Sequence, residues 1–215
     1  MRSVFFAAFA CIVFSGCAMS QNSDVKIPAG ITKKSSGHES VAYFSEGCFW
    51  HTEIVFQSLV GVRDAVSGYC GGSDTNPDYE KVSSGETGHA ETVAVFYDSS
   101  KISFPTLVQA FFDSHDPTTL NRQGNDVGTQ YRSIAFYSND KEKKIIDDEI
   151  KKLNDSKYHG AIVTQVKAFV KFYPAEAYHQ EYILHHPDNP YVANVSIPDF
   201  LEFKRDFKNN FNFKQ

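Results

Sequence analysis

"VAYFSEGCFWHTEIVFQSL", residues 41–59, decides the fold, because two different periods meet inside it. "VAYFS", Val41 to Ser45, has the β-branched and aromatic composition of a strand, whereas from Cys48 onward Phe49, Phe56 and Leu59 are spread around a helix. Gly47 makes the turn between them. The same stretch raises a chemical question, since it sets Cys48 directly after that glycine and directly before Phe49 and Trp50, the only tryptophan in the chain. A thiol in the first turn of a helix faces the positive end of the helix dipole and several unpaired backbone N–H groups, both of which favour the thiolate. Cys48 is therefore a candidate nucleophile, with an inert buried cysteine as the alternative.

Working outward, "GVRDAVSGYCGG" reads as a second strand ending in a glycine loop, and "HAETVAVFYD" as a third. "SFPTLVQAFFDSHD" reads as a helix, with Ser103 as N-cap and Pro105 in its first turn. "YRSIAFYS" is expected to be a strand. "DKEKKIIDDEIKKLN" is expected to be a helix, with Ile146, Ile150 and Leu153 at i, i+4 and i+7. "AIVTQVKAFVKFYP" is read as one further strand, followed by helical stretches near "AEAYHQEYILHH" and "PDFLEFKRDF". The irregular alternation, with two strands in succession after the first helix, predicts an α+β fold: a two-layer α/β sandwich on a mixed sheet.

At 215 residues, 41% of them hydrophobic, the chain suits one catalytic-sized domain. Its 21 basic and 26 acidic residues give a net charge of −5 with no long block of either sign, which argues against a nucleic-acid partner and for small neutral or peptide ones. The opening "MRSVFFAAFACIVFSGC" carries one basic residue and an apolar run too short to span a bilayer. It is expected to be an export signal over residues 1–16. The ending "FSGC" resembles a bacterial lipobox, with Phe14 where Leu is usual, so Cys17 is the expected lipidation site and ordinary signal cleavage the alternative. Residues 17–40 then form a flexible tether to a catalytic domain over 41–215. The localisation this implies is exported, periplasmic and membrane-anchored as a lipoprotein. With Cys11 in the signal and Cys17 lipidated, only Cys48 and Cys70 remain as thiols of the mature domain.

Further polar residues gather around the strand ends. Glu91 shares parity with Val93, Val95 and Tyr97, so a strand there turns its carboxylate toward an apolar face, and desolvation would raise its pKa into the range of a general acid. A one-residue slip of register would instead leave it in water. The loops "NPDYEKVSSG" and "NRQGNDVGTQYRS" carry Tyr79, Asp126 and Tyr131, whose phenols could face a polarised oxygen or simply pack.

"GCFW", "GYCGG", "NPDYEKV", "TGHAETVAVFYD", "HDPTTLNRQGNDVGTQYRS" and "FYPAEAYHQEY" together resemble, in order and spacing, the A-type peptide methionine sulfoxide reductases, from Val41 to about Tyr191. The resemblance implies a ferredoxin-like core and reduction of the S epimer of methionine sulfoxide, free or in proteins. It assigns Cys48 as the nucleophile that attacks sulfur and Glu91 as the acid that protonates the departing oxygen. Tyr79 and Tyr131 would bind that oxygen, Asp126 would orient by hydrogen bonding, and Phe49 with Trp50 would hold the substrate methyl. No bound cofactor or metal is implied. The reductant would be an external thiol, thioredoxin-like or dithiothreitol, and the enzyme a monomer that repairs oxidised exported proteins.

The chain departs from many such relatives where a second cysteine would reduce the sulfenic acid: Ser83 stands at one such position, and the tail "NNFNFKQ" has none. Either Cys70, flanked by glycines, closes a disulfide with Cys48, or an external thiol attacks the sulfenic acid directly. Two rival readings are a papain-like thiol hydrolase, with His89 near Glu91 as a possible base, and a metal-binding lipoprotein using scattered histidines, of which only His185 and His186 are adjacent.

Overall fold

The structure, a computed structural model, describes residues 38–215. The expected signal segment with Cys17, and the tether up to residue 37, lie outside the described residues. The first strand, β1 (Glu39–Ser45), takes up the last two residues assigned to the tether. It leads through Glu46 and Gly47 into α1 (Phe49–Gln57), as the opening stretch predicts. There follow β2 (Val62–Cys70), α2 (Tyr79–Ser83), β3 (Ala90–Asp98) and α3 (Phe104–Asp113). A two-residue hairpin, β4 (Arg122–Gln123) and β5 (Asp126–Val127), precedes β6 (Ile134–Tyr137) and α4 (Asp140–Leu153). β7 (Gln165–Ala168), β8 (Phe172–Pro174), α5 (Tyr182–His185) and α6 (Ile197–Phe207) complete the chain.

The caps follow the sequence. Ser103 accepts from Thr106 N at the start of α3, Asn139 does so from Glu142 N at α4, and Asp78 from Lys81 N at α2.

The large sheet runs β7-β6-β1-β3-β2-β8, antiparallel except for the β6–β7 pair, so it is mixed. Its central order β6-β1-β3-β2, with α1 and α3 as the connections, is the ferredoxin-like split βαβ arrangement. Both helices pack on one face, where Phe44 of β1 stacks between Phe56 of α1 and Phe111 of α3 at centroid distances of 5.0 and 5.1 Å.

The single strand expected over residues 161–174 is instead two, β7 and β8, at opposite edges of the sheet. Only residues 169–171 join them. Four Cα steps reach at most about 14 Å, whereas six flat strands would put the edges about 24 Å apart. The sheet must therefore curl until its edges nearly meet. The inside of the curl holds Cys70, Ala90, Ile134 and Phe136, packed by Tyr43, Phe169 and Phe172, with Tyr43 stacked on Phe169 at 3.9 Å. The helix face carries the larger core and the chemistry; the curled face closes on itself.

Candidate active site

Cys48 is the N-cap of α1, extended at φ −61° and ψ 121°, and its carbonyl receives His51 N at 3.1 Å. The next backbone N–H, that of Phe49, is not spent inside the helix. It donates to Glu91 Oε2 at 2.9 Å. Glu91 lies opposite Tyr69 in the β2–β3 ladder and is only 2% exposed, on the same face as Val93 and Val95. Burial, helped by the negative charge of Asp126 and opposed by the Phe49 N–H, pushes its pKa up to about 8. At neutral pH the Glu91 carboxyl is therefore mainly in its protonated form. Because Oε2 accepts from Phe49, Oε1 is left to carry it.

Burial opposes the helix-start argument for a thiolate. Burial pushes the Cys48 thiol well above the ordinary cysteine range, and the charges of Glu91 and Asp126 push the same way. The N–H groups of Trp50 and His51 pull it down but do not compensate. A nine-residue helix supplies only partial charges, and these lose to the withdrawal of a full charge from water.

Phe49 and Trp50 stand in an aromatic wall that the later chain completes. Phe49 is fully buried, with ring centroids of His179 at 5.0 Å, Tyr69 at 6.0 Å and Tyr79 at 6.4 Å. Trp50 stacks face to face on Tyr182 at 3.7 Å and meets Tyr191 edge-on at 6.2 Å. Its indole N–H donates to His179 Nδ1 at 3.1 Å, which fixes the tautomer that carries the His179 proton on Nε2. Glu53 straps the segment bearing these rings to α1 and β2: it accepts from Glu181 N at 2.6 Å and from Ser67 Oγ at 2.5 Å. Glu176 does the same for α2, accepting from Tyr79 N at 2.9 Å and Tyr69 Oη at 2.8 Å.

Tyr79 begins α2 and Tyr131 ends a short helical turn, Thr129–Tyr131. Both phenols feel the charges of Glu91, Cys48 and Asp126, and burial is the main cause that raises their pKa, that of Tyr79 to about 12. Asp126 arrives on the β4–β5 hairpin, which lies on the 46–48 turn. Gly47 has φ +114°, and a Cβ there would sit 2.7 Å from Gln123 Cβ, so only glycine lets the hairpin come this close. Asp126 Oδ2 accepts from Tyr191 Oη at 2.5 Å, and both side chains line the cavity beside Cys48. The structure thus brings Cys48, Glu91, Tyr79, Tyr131 and Asp126 to one place. Cys48, Asp126 and Tyr191 open on a cavity of about 700 Å³ that Phe49 and Glu91 do not line.

Tyr191, Tyr182, His179 and Glu53 were not singled out from the sequence. The run of rings and polar groups in "AYHQEY", too short for a stable helix, was the available signal.

Two of the alternatives left open by the sequence are at odds with the geometry. Cys70 is a free thiol, 1% exposed, donating to Lys171 O at 3.1 Å inside the curl of the sheet. Strand alternation turns its neighbour Tyr69 toward Phe49 and Cys70 to the opposite face, so a Cys48–Cys70 disulfide would require β2 to leave the sheet. His89 cannot serve as a hydrolase base, because its Nδ1 accepts from Gly72 N at 3.1 Å and its Nε2 meets Asp74 O at 2.8 Å. Among the described residues, no three or more His, Cys, Asp or Glu side chains converge as a metal site. Ser83 ends α2, its hydroxyl turned back to Glu80 O.

A thiol at a helix N-cap beside a buried carboxyl and an aromatic wall, on a curled α+β sheet, fits an oxidoreductase. The chain belongs to the peptide methionine sulfoxide reductase family, whose model matches residues 40–211. It is similar to peptide methionine sulfoxide reductase MsrA of Polynucleobacter asymbioticus, 45% identical over 179 residues, covering 83% of this chain and 94% of that one. Among solved structures it resembles reduced Mxr1 of Saccharomyces cerevisiae, at 33% identity and a TM-score of 0.69 over 73% of this chain and 91% of that one. Methionine sulfoxide reductase A of Corynebacterium diphtheriae follows, at 31% identity and TM-score 0.66 over 74% and 81%. Mxr1 in complex with Trx2 shares the fold at 24% identity and TM-score 0.50, over 70% and 90%.

Proposed function

We propose that this reductase acts on the S epimer of methionine sulfoxide, with Cys48 as nucleophile and Glu91 as acid. The observation that carries this reading is the 2.9 Å hydrogen bond from Phe49 N to Glu91, which holds a proton-bearing carboxyl one residue from the thiol. A sulfoxide sulfur is a poor electrophile until its oxygen is protonated. To leave as water, that oxygen needs two protons, one from Glu91 and one from the thiol. The Cys48 sulfur then bonds to the substrate sulfur as a sulfonium, with the Glu91 carboxylate as its counter-ion. Water attacks the Cys48 sulfur, the S–S bond breaks to release the thioether, and the freed proton returns to Glu91. Cys48 is left as a sulfenic acid.

Tyr79 and Tyr131, with pKa values that keep them protonated, supply donors to the oxygen, while Asp126 orients Tyr191 against the thiol. Phe49 and Trp50 form the apolar side that receives the methyl. An external dithiol returns the sulfenic acid to the thiol and releases water, and a thioredoxin-like protein is the reductant this reading takes, alongside dithiothreitol in vitro. The protein works as an exported lipoprotein that repairs oxidised proteins, anchored through Cys17. Separated S and R epimers, assayed with dithiothreitol on wild type and Cys48→Ser, test the chemistry: reduction of only S, abolished by the substitution, is expected, and equal use of both would refute it. The mass of the mature N-terminus, before and after Cys17→Ala, tests the anchor.

A further inference from the structure

The cavity in front of Cys48 is larger than a methyl sulfoxide needs. One flank carries Asp113 and Asp116 and the other Asp199, Glu202 and Asp206 of the α6 region, with Lys157 as the only cationic lining residue. Arg205, outside the lining, pairs with Glu202 at 3.3 Å and Asp206 at 2.7 Å and offsets part of this charge. Lys157 offsets one of the charges on Asp113 and Asp116, so with Asp199 about two carboxylates stay in excess.

The floor is built from polar groups that lack partners. Glu46 and Ser196, each 1% exposed, line the cavity with Glu46 Oε1 and Ser196 Oγ unbonded, and His51 Nδ1 beside them is also unbonded. These atoms are contiguous. Glu46 Oε2 accepts from Ser114 Oγ at 2.9 Å, and Ser114, His51 and Ser196 line the same cavity. Unsatisfied buried donors and acceptors are costly unless something fills them, and a peptide backbone offers both kinds of group in turn.

We propose that this cavity is a subsite for the polypeptide flanking the oxidised methionine, its floor taking the backbone and its acidic flanks selecting lysine or arginine near the sulfoxide. The inference rests on the reductase reading above and adds a flanking-sequence preference to it. A free methionine sulfoxide would occupy only the thiol and the aromatic wall and would leave the acidic flanks unused.

The test compares kcat/KM for three S-sulfoxide substrates: a peptide with lysine on both sides, the same peptide with glutamate, and N-acetyl methionine sulfoxide. Each exposed carboxylate faced contributes about two- to fivefold, so the lysine peptide is expected to be favoured by on the order of tenfold at low ionic strength. That ratio should collapse toward one in about 1 M salt, where charges are screened beyond about 3 Å. Asp199→Asn combined with Glu202→Gln should lower the ratio by about two- to fivefold while leaving the N-acetyl substrate unchanged. Equal use of the two peptides at low salt, or a ratio that the double variant leaves intact, would overturn the subsite and spare the reductase reading. Failure to reduce the N-acetyl substrate would overturn both.

Discussion

Replacing Glu91 by glutamine separates the two jobs of this side chain. The amide oxygen can still accept the Phe49 N–H, now made at 2.9 Å to Oε2, so the geometry of the α1 start should survive. What is lost is the proton that the carboxyl, with its pKa near 8, holds at neutral pH. A positioned general acid contributes about 10²- to 10⁴-fold, so kcat/KM at pH 7 should fall by that factor, or about 3–5 kcal/mol of barrier. The pH profile gives a second, independent readout. In the wild type the acid is lost as pH rises through about 8, so the rate should decline there for this cause, and the decline should vanish in Glu91→Gln. Steady-state kinetics with N-acetyl methionine S-sulfoxide and dithiothreitol, from pH 6 to 9, with the fold checked by thermal melting, would measure both. A variant that keeps its rate within a few-fold, or keeps the alkaline limb, would refute Glu91 as the proton source.

Tyr191→Phe removes the hydroxyl that holds Asp126 beside Cys48 while keeping the ring against Trp50, and should slow both turnover and alkylation of Cys48 about tenfold, since bonds to charged groups are worth about 1.5–3 kcal/mol. Unchanged alkylation would show that the phenol does not assist the thiol. Cys70→Ser keeps a donor for Lys171 O and should turn over with dithiothreitol at the wild-type rate; after one turnover without reductant, mass spectrometry should find one added oxygen on Cys48 in both proteins, and a Cys48–Cys70 disulfide would contradict the placement of Cys70. Glu53→Gln tests a stability slope: the Glu53 pKa is raised by burial from 4.5 to about 7, so its contribution is fully present below about 4.5 and is lost as pH rises through about 7. The loss is about 3 kcal/mol, or on the order of 6–12 °C in Tm, and the fall in Tm between pH 5 and pH 8 should shrink by that amount in the variant; an unaltered slope would mean that Glu53 is ionised in the fold.

The parts of the site that were legible in the sequence are those that local periodicity controls. Strand parity put Glu91 on the face of Val93 and Val95, and six ladder partners on β1 hold that register. Gly47 marked the turn and Ser103 the cap because each answers a local backbone demand. Residues 161–174 misled because their apolar content serves two strands at opposite edges: Phe169 and Phe172 pack on Tyr43 inside the curl, whereas Val170 between them is 87% exposed. Curl is a property of the whole sheet, and no short window encodes it. The charge state of Cys48 was misjudged for a related reason. The helix start is visible locally, but the burial that outweighs it comes from strands, loops and α6 far away in the chain.

Burial of Cys48 beside Glu91 bears on the chemistry as well. Glu91 and Cys48 share one poorly hydrated space: burial raises the pKa of both, and the charge of Glu91 adds to the rise at Cys48, which favours a neutral acid and a neutral thiol at rest. Oxidation by peroxides follows thiolate character, so a resting thiol is protected in a protein whose only other described cysteine lies across the sheet. In the mechanism proposed above, a sulfoxide would remove the protection for itself alone, because its oxygen would take the Glu91 proton and then the thiol proton as the sulfur–sulfur bond forms. The new sulfonium and the new carboxylate are then opposite charges in a low-dielectric site, where their attraction is strongest. Burial that holds back the thiolate at rest thus favours the charged pair formed in the reaction, and a more exposed site would lose both effects together.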